Sequence, residues 1–429
     1  MTPGPTRREL LRGGLALGTS AGLGLTAGPG PALGAAGDGD GPRVRAHRTL
    51  GRTGMRIADI SFGSSSMSDA SLVRYAYERG VNYFDSAESY RGGRAEEAIG
   101  EALAGVRDRV FLTSKTRAWA NDTRAEMMTS LEASLRRLRT DYVDVYFLHA
   151  VNDVERLANE EWHEFTERAK AEGKIRFRGV SGHGSRLVPC LEHALEHDLA
   201  DVLLVAFNFG QDPSFYDRVI RSFHFAALQP ELPRVLERAK AKGVGILAMK
   251  TLMGARLNDL RAYESRGATY AQAAFTWVLA HPAVDALLVS MTHRGEVDEF
   301  LGASGQAFDA AVHLPLLERY ALAHGADYCQ HGCNVCESSC PLGVPIAEVL
   351  RTRMYALDYG RPELARADYV ALGRPAEACL RCAGQPCLGA CPNGIPIARR
   401  TIATARALGP AKPDRRGSSE KSENNDILG

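Results

Sequence analysis

The chain has 429 residues, of which 45% are hydrophobic and 24% are charged. This composition is that of an ordinary globular protein, and it excludes disorder or a fibrous fold for most of the chain. The 52 basic residues nearly balance the 51 acidic ones, and the net charge of +1 gives no reason to expect a nucleic-acid partner. No uninterrupted apolar run approaches the roughly 18 residues of a membrane-spanning helix, so we expect no span in the mature protein.

Residues 1–41 have the pattern of an export signal. Arg7 and Arg8 lie in a charged start, residues 13–27 are mostly Gly, Ala, Leu, Ser and Thr, and small residues follow at 34–36. The adjacent arginines resemble the twin-arginine signal, which sends folded proteins across a membrane. We therefore expect export to the periplasm or another extracytoplasmic compartment. A disordered leader with a chance arginine pair, on a cytoplasmic protein, is the alternative.

Short apolar runs then alternate with amphipathic stretches. Eight strands are predicted, at Ile57–Phe62, Asn82–Asp85, Val110–Lys115, Val143–His149, Arg178–Ser181, Val202–Asn208, Gly245–Lys250 and Ala286–Ser290. Helices are predicted between them, among them Thr123–Leu138, Leu187–His197, Glu231–Lys242 and Thr269–Ala280. Strands that are apolar on both faces are typical of parallel sheets, and eight strand–helix units predict an α/β fold, a (β/α)8 TIM barrel. A doubly wound open sheet is the alternative, but no glycine-rich dinucleotide motif follows the first strand.

Four proton-active side chains follow three consecutive predicted strands. Asp85 ends the second strand and Tyr90 lies in the loop after it, Lys115 ends the third strand and His149 ends the fourth. Taken singly, a helix cap, a surface charge or a core histidine would explain them. Because barrel sites are built where the strands end, we expect these side chains to meet.

The four side chains together have a coherent chemistry. A tyrosine has a pKa of about 10, which a neighbouring ammonium lowers by stabilising the phenolate. A carboxylate holds that ammonium in place, and a neutral imidazole can donate a hydrogen bond to a substrate oxygen. The pattern predicts a site that protonates a carbonyl oxygen as the carbonyl is reduced.

The same region carries recognisable motifs. Residues 84–90 read Phe-Asp-Ser-Ala-Glu-Ser-Tyr, and residues 93–100 read Gly-Arg-Ala-Glu-Glu-Ala-Ile-Gly. With residues 50–54, 135–149 and 179–181, they make residues 47–303 resemble the aldo-keto reductase superfamily. The resemblance implies that Tyr90 is the general acid, that Lys115 tunes it with Asp85 as partner, and that His149 orients the carbonyl. It also implies NADPH, or less often NADH, as hydride donor and a small carbonyl or alcohol substrate.

The departures from the family pattern fall in the cofactor region. On the resemblance, cofactor contacts are assigned to Ser181, Asn208, Lys250, Arg294 and Glu299. Gly182 stands where the family usually has asparagine, Leu204 where it has glutamine, and Phe300 where it has asparagine. The catalytic groups are complete, whereas the groups that would hold a nicotinamide cofactor are altered.

Eight of the nine cysteines lie in two runs near the C-terminus, namely Cys329, Cys333, Cys336 and Cys340, then Cys379, Cys382, Cys387 and Cys391. Each run ends in C-x3-C-P, which resembles two-cluster bacterial ferredoxins, where the last cysteine of each run ligates the other cluster. On that pattern Cys391 joins the first run around one [4Fe–4S] cluster, and Cys340 joins the second run around another. The first gap of the first run, with three residues, and the middle gap of the second run, with four, depart from the ferredoxin pattern, and zinc or disulfides are the alternatives. Cys190 is expected to be a buried small hydrophobe.

These expectations divide the chain into four parts. They are a twin-arginine-type leader (1–41), the barrel (42–323), a mostly helical ferredoxin-like iron–sulfur module (324–409) and a disordered tail (410–429). We call residues 324–409 the cysteine module; a subgroup of aldo-keto reductase-like oxidoreductases carries such a module. The predicted function is an oxidoreductase that reduces a carbonyl or oxidises an alcohol with a nicotinamide cofactor. The alternative is an exported iron–sulfur electron-transfer protein whose barrel binds a redox partner or a ligand without nicotinamide.

Overall fold

The structure is a computed structural model that describes residues 41–211, 229–253, 264, 267–324, 329, 333–357, 362–392 and 394–409. The predicted leader, except for residue 41, and the predicted tail lie outside the described residues.

Eight parallel strands close into a barrel in chain order, and the last strand pairs with the first. The strands are β1 (His47–Thr49) and β2 (Arg56–Ala58), which form a separate antiparallel pair, and then the barrel strands β3 (Ile60–Gly63), β4 (Tyr83–Asp85), β5 (Phe111–Thr116), β6 (Val143–Leu148), β7 (Ile175–Gly182), β8 (Val202–Ala206), β9 (Gly245–Met249) and β10 (Ala286–Ser290). Every residue of β6 and β8 is buried, as expected for parallel strands covered on both faces. The (β/α)8 prediction is confirmed.

The first predicted strand is wrong in its extent. Residues 57 and 58 belong to β2, and the barrel strand begins only at Ile60. The chain changes direction at Asp59, whose buried carboxylate accepts hydrogen bonds from the Ser304 hydroxyl at 2.6 Å and from the Gly305 N–H at 2.8 Å. This polar anchor separates two apolar runs that read as one in the sequence.

Helices follow the barrel strands and cover the outside. They are α1 (Ala70–Glu78), α2 (Arg94–Leu103), α3 (Arg124–Leu138), α4 (Val154–Leu157), α5 (Glu160–Ala171), α6 (Leu187–Glu196), α7 (Leu232–Ala241), α8 (Tyr270–Leu279), α9 (Arg294–Leu301) and α10 (Ala310–His324). Thr123 and Thr269 cap α3 and α8 through reciprocal capping boxes with Glu126 and Gln272. The four helices predicted by range begin and end within one residue of their expected positions.

Among the described residues, side chains fill the barrel interior at the end where the strands begin. Leu50, Met55 and Ile57, from the β1–β2 hairpin region, pack against interior residues such as Val145 and Val202. These side chains close the end at which the strands begin. The opposite end, where the strands finish, is therefore the end that can hold a ligand.

The described part of the cysteine module is mostly helical. It contains α11 (Ile346–Leu357), α12 (Pro362–Ala371), α13 (Ile397–Leu408) and short 3-10 turns beside the cysteines. A small core of its own includes Ile346, Val349, Tyr369 and Ile397. The described residues of the barrel and of this module belong to one compact unit. Within the described residues, we find no helix whose length and apolar character would let it span a membrane.

Candidate active site at the carboxyl ends of the strands

The four predicted catalytic residues line one cavity at the carboxyl ends of the barrel strands. Asp85 is the last residue of β4, Lys115 lies near the end of β5, and His149 directly follows β6. Tyr90 opens a 3-10 turn in the loop after β4. The cavity has a volume of about 400 Å³, which is within the range of small-molecule sites.

Lys115 and Asp85 form an ion pair that is almost completely buried, with side chains 1% and 2% exposed. Lys115 Nζ also donates to the Ser86 carbonyl at 2.6 Å, and the Thr113 hydroxyl donates to Asp85 Oδ1 at 2.8 Å. Burial lowers the pKa of the Lys115 ammonium, and the attraction of Asp85 offsets this only in part. The pair holds one positive charge at a fixed point beside the cavity.

That charge lies next to the tyrosine. Lys115 Nζ is 5.0 Å from the centre of the Tyr90 ring. The Tyr90 and His149 rings are 5.6 Å apart between centroids and nearly perpendicular, at 80°. A phenol and an imidazole thus face the same space, with an ammonium beside the phenol.

His149 is held in its neutral form. Burial lowers its pKa well below the ordinary value, and the charges of Lys115, Arg117, Arg156 and Lys250 lower it further. Its Nδ1 is buried and has no hydrogen-bond partner among the described residues. A neutral imidazole carries one N–H, which can donate to a substrate oxygen.

Arg156, at 4% exposure, fixes the backbone around His149. Its guanidinium donates to the carbonyls of His149 at 2.8 Å, Ala150 at 3.1 Å and Ala118 at 3.2 Å, and also to that of Arg117. These bonds join the loops that follow β5 and β6. Nothing in the sequence marked Arg156 for this task, because its acceptors are backbone atoms.

The motif at residues 93–100 has a supporting role. Its Glu96 is fully buried and accepts hydrogen bonds from the Ser114 hydroxyl at 2.5 Å and from Arg137 Nε at 2.6 Å. Gly93 has φ of 89°, and a Cβ there would lie 2.8 Å from the Arg137 side chain. The motif ties α2 to β5 and α3 immediately behind Lys115.

The residues assigned to a cofactor are only partly brought together. Ser181, Lys250 and Glu299 line the cavity, whereas its described lining includes neither Asn208 nor Arg294. The Asn208 amide donates to the Lys250 carbonyl at 3.2 Å and accepts from the Gly210 N–H. The Arg294 guanidinium lies 4.9 Å from the centre of the Tyr75 ring, on an exposed side chain.

The departures from the family pattern lie at the same cavity. Leu204 and Phe300 both line it. Phe300 is 5% exposed and packs edge-to-face on Phe275 at 5.0 Å. Both positions therefore present apolar surface where an amide would offer hydrogen bonds.

Sequence reasoning missed the contribution of the cysteine module to this cavity. Tyr355, Leu364 and Asp368 line it together with Tyr90 and His149. Burial raises the pKa of the Tyr355 phenol, but the charges of Lys250 and Arg351 outweigh that effect and lower it overall. No local motif surrounds Tyr355, and the sequence gives no sign of which element packs against the barrel end.

The eight clustered cysteines are all described, and none of the nine cysteines forms a disulfide. Burial raises the pKa of Cys329, and the charges of Cys333, Cys336 and Cys391 add to the shift. Burial likewise raises the pKa of Cys387, with contributions from Cys379, Cys340 and Cys382. Cys391 therefore lies near Cys329, Cys333 and Cys336, and Cys340 lies near Cys379, Cys382 and Cys387. We call these two sets the cysteine groups.

Among the described residues, no group of three or more His, Cys, Asp or Glu side chains is positioned to hold a metal ion. Metal binding by the eight cysteines stays a prediction. Cys190 is 1% exposed, and burial raises its pKa to about 12, which confirms the expected buried thiol.

Comparison with known proteins agrees with this geometry. The model of the aldo/keto reductase family matches residues 54–264. Methylglyoxal reductase YeaE of Escherichia coli (strain K12) is 31% identical over 52% of this chain and 75% of that protein. L-glyceraldehyde 3-phosphate reductase of Escherichia coli O157:H7 is 26% identical over 64% of this chain and 92% of that protein.

A solved aldo-keto reductase from Klebsiella pneumoniae, in complex with NADPH, is similar in structure. It is 27% identical, with a TM-score of 0.51, over 64% of this chain and 95% of that chain. The barrel and the four residues at its open end are those of an oxidoreductase. This chain belongs to the aldo/keto reductase family.

Proposed function

We propose that this enzyme reduces an aldehyde or ketone, or oxidises the corresponding alcohol, at Tyr90 with NADPH or NADH. The observation that carries the proposal is the placement of Tyr90 between the buried Lys115 ammonium and the neutral His149 ring. Methylglyoxal reductase and L-glyceraldehyde 3-phosphate reductase, by their names, act on small carbonyl compounds.

In this proposal each side chain has one task. The neutral His149 ring donates a hydrogen bond that orients the carbonyl oxygen. Tyr90 gives its proton to that oxygen, and the Lys115 ammonium stabilises the phenolate that remains. Asp85 fixes the ammonium by the buried ion pair. A bound nicotinamide supplies the hydride.

The cavity suits a nicotinamide ring in size, and a related structure from Klebsiella pneumoniae contains NADPH. Ser181, Asn208, Arg294 and Glu299 are the residues that we propose hold the cofactor. Of these, Ser181 and Glu299 are supported by their place at the cavity. Lys250, which the resemblance also assigns to the cofactor, lines the cavity and donates a hydrogen bond to Tyr355.

Titration with each nucleotide tests the cofactor directly. We expect anaerobically purified protein to enhance or shift nicotinamide fluorescence with a dissociation constant in the micromolar range, typical of substrates and cofactors. Carbonyl compounds should then oxidise the bound nucleotide. If neither NADPH nor NADH binds, the nicotinamide proposal fails.

A second candidate function is electron transfer without nicotinamide. The observation that favours it is the apolar surface of Leu204 and Phe300 at the cavity, together with the outward position of Arg294. In that case the barrel would bind a partner or a ligand, and electrons would reach a redox partner protein through the cysteine module. Failure of the nucleotide titration would favour this function.

We also propose that the cysteine module holds two [4Fe–4S] clusters. Four thiols in each group are the ligand set such clusters require. Cys340, Cys379, Cys382 and Cys387 line one small cavity with apolar neighbours that include Leu342 and Ile346. Anaerobically purified protein should contain about eight iron atoms and eight sulfides per chain. One zinc per group, with no sulfide, would overturn the proposal.

Export by a twin-arginine route is a further proposal, supported by the arginine pair and the apolar stretch that follows it. Such a route carries folded proteins, which suits a protein that acquires clusters before export. Changing both Arg7 and Arg8 to lysine should retain the protein in the cytoplasm, as followed by cell fractionation. Unchanged export of that variant would exclude the twin-arginine route.

A further inference from the structure

The cysteine module forms part of the wall of the active-site cavity. The cavity is lined by Tyr355, near the end of α11, and by Leu364 and Asp368 of α12. An ion pair between Arg117 of the barrel and Asp368 joins the two parts. Glu348 Oε1 accepts a hydrogen bond from the Ser185 N–H at 3.0 Å. These contacts hold the module against the barrel end.

Lys250 and Tyr355 form a second lysine–tyrosine pair in the cavity. Lys250 Nζ donates to the Tyr355 hydroxyl at 2.9 Å and lies 4.7 Å from the centre of its ring. The tyrosine is 8% exposed, and its ring also lies 5.4 Å from Arg351 Cζ. One partner comes from the barrel and the other from the cysteine module, so the pair exists only when the module is docked.

The backbone at Lys250 is unusual. Its φ of 56° is in the left-handed region, which a residue with a Cβ seldom adopts. Non-glycine residues in this region cluster at functional sites, where the surrounding structure holds them. Here the strained residue directly follows β9 and delivers the ammonium that meets Tyr355.

We propose that Lys250 and Tyr355 bind an anionic oxygen group of the substrate, a carboxylate, while Tyr90 and His149 act on its carbonyl. The inference rests on the proposed function and names its substrate class, a carbonyl compound that carries a carboxylate. An ammonium and a phenol are both donors, and hydrogen bonds to an ionised acceptor are the stronger ones.

The charges around the pair agree with this role. Arg117 and Asp368 both line the cavity, and they form an ion pair. Arg351 pairs with Glu348 at 2.7 Å and with Asp368 at 3.7 Å. The Asp368 carboxylate in the cavity lining is therefore paired with arginines, whereas Glu264, Glu296 and Glu299 also belong to the lining.

The position of Lys250 favours the substrate over the cofactor's diphosphate. Lys250 lines the same cavity as Tyr90 and His149, so an anion bound to its ammonium would share that cavity with the carbonyl. In a nicotinamide dinucleotide a ribose separates the diphosphate from the reactive ring. An anion near the carbonyl is therefore more readily supplied by the substrate.

The test compares two aldehydes of similar shape, 4-formylbenzoate and its methyl ester, in the full-length, cluster-loaded protein. The wild type should prefer the carboxylate in kcat/KM. Tyr355→Phe removes one donor to a charged acceptor and should lower that preference about tenfold. Lys250→Met should lower it further. Tyr369→Phe is the matched control, because Tyr369 is buried in the same module outside the described cavity lining.

The dissociation constant for NADPH, measured without aldehyde, separates the possible sources of the anion. An unchanged constant with reduced carboxylate preference supports the inference. Weaker NADPH binding with an unchanged carboxylate preference would assign the pair to the cofactor and overturn the inference. The inference is also overturned if neither the NADPH dissociation constant nor the carboxylate preference changes in either variant. If the wild type reduces neither aldehyde, the proposed function fails. The carboxylate site is then tested by calorimetric binding of 4-formylbenzoate to the wild type and to Tyr355→Phe. Equal affinity of the two proteins would overturn the carboxylate site.

Discussion

Replacing Tyr90 by phenylalanine should lower carbonyl turnover by about 10²–10⁴-fold, the usual contribution of a positioned proton donor. The variant loses one oxygen atom in a cavity, and the Lys115–Asp85 pair and the His149 ring stay in place. Nucleotide binding should therefore be retained while the rate of the chemical step collapses. The measurement is single-turnover oxidation of bound NADPH by an aldehyde.

A matched control is Tyr77→Phe, at a half-buried tyrosine in α1 outside the described cavity lining. It should turn over as the wild type does. Iron content should be the same in all three proteins, because neither tyrosine lies in the cysteine module. Turnover of Tyr90→Phe within a few-fold of the wild type would remove the tyrosine from the mechanism.

Replacing Lys115 by methionine should affect both activity and stability. Without the ammonium the Tyr90 phenolate loses its stabilising charge, so turnover should fall by orders of magnitude. Asp85 would also be left as a buried carboxylate without its cation. Breaking a buried pair on one side costs about 3–5 kcal/mol in the free energy of unfolding, which urea denaturation would measure.

The double variant Asp85→Asn/Lys115→Met separates the two effects. It removes the stranded charge but keeps an acceptor for the Thr113 hydroxyl, which donates to this side chain. Most of the lost stability should return, whereas turnover should stay as low as in the single variant. Recovery of activity in the double variant would show that Lys115 acts only on stability.

The stability loss of Lys115→Met should depend on pH. Burial already raises the pKa of Asp85 in the presence of the ammonium, and removing Lys115 removes the main opposing effect. The folded variant then binds a proton that the unfolded chain releases above a pH of about 4. The loss should therefore be small at acidic pH and grow as the pH rises to neutrality. A loss that is independent of pH would contradict this account.

Much of the site could be predicted because its residues lie at, or a few residues after, the ends of strands that the local sequence predicts. Lys115 and His149 end apolar runs, and parallel strands bring such ends together whatever the loops do. Asp85 and Tyr90 lie in one short motif that begins at the end of the second barrel strand. These residues lie at or near the ends of strands, and the alternation of apolar runs and amphipathic stretches along the chain already predicts where those strands end.

Other parts depend on contacts between distant segments. The true start of β3 is set by Asp59, which is anchored by Ser304 and Gly305, nearly 250 residues away in the chain. Arg156 donates to backbone carbonyl groups, and because every residue has one, the sequence does not show which residues Arg156 contacts. Asn208 and Arg294 were assigned on the family resemblance, yet neither belongs to the described cavity lining. Asn208 donates to the Lys250 carbonyl, and Arg294 lies over the Tyr75 ring.

The sequence by itself determined the barrel, the positions of the four candidate catalytic residues near strand ends and the grouping of cysteines in two runs, because each follows from spacing along the chain. Only the tertiary structure decided that α11 and α12 close the cavity and that Tyr355 meets Lys250 there. The physical reason is that docking of one element on another depends on the shape and charge of both surfaces. Arg117 and Asp368 form an ion pair although they are 251 residues apart in the chain, and no periodic pattern in the sequence predicts such a pair.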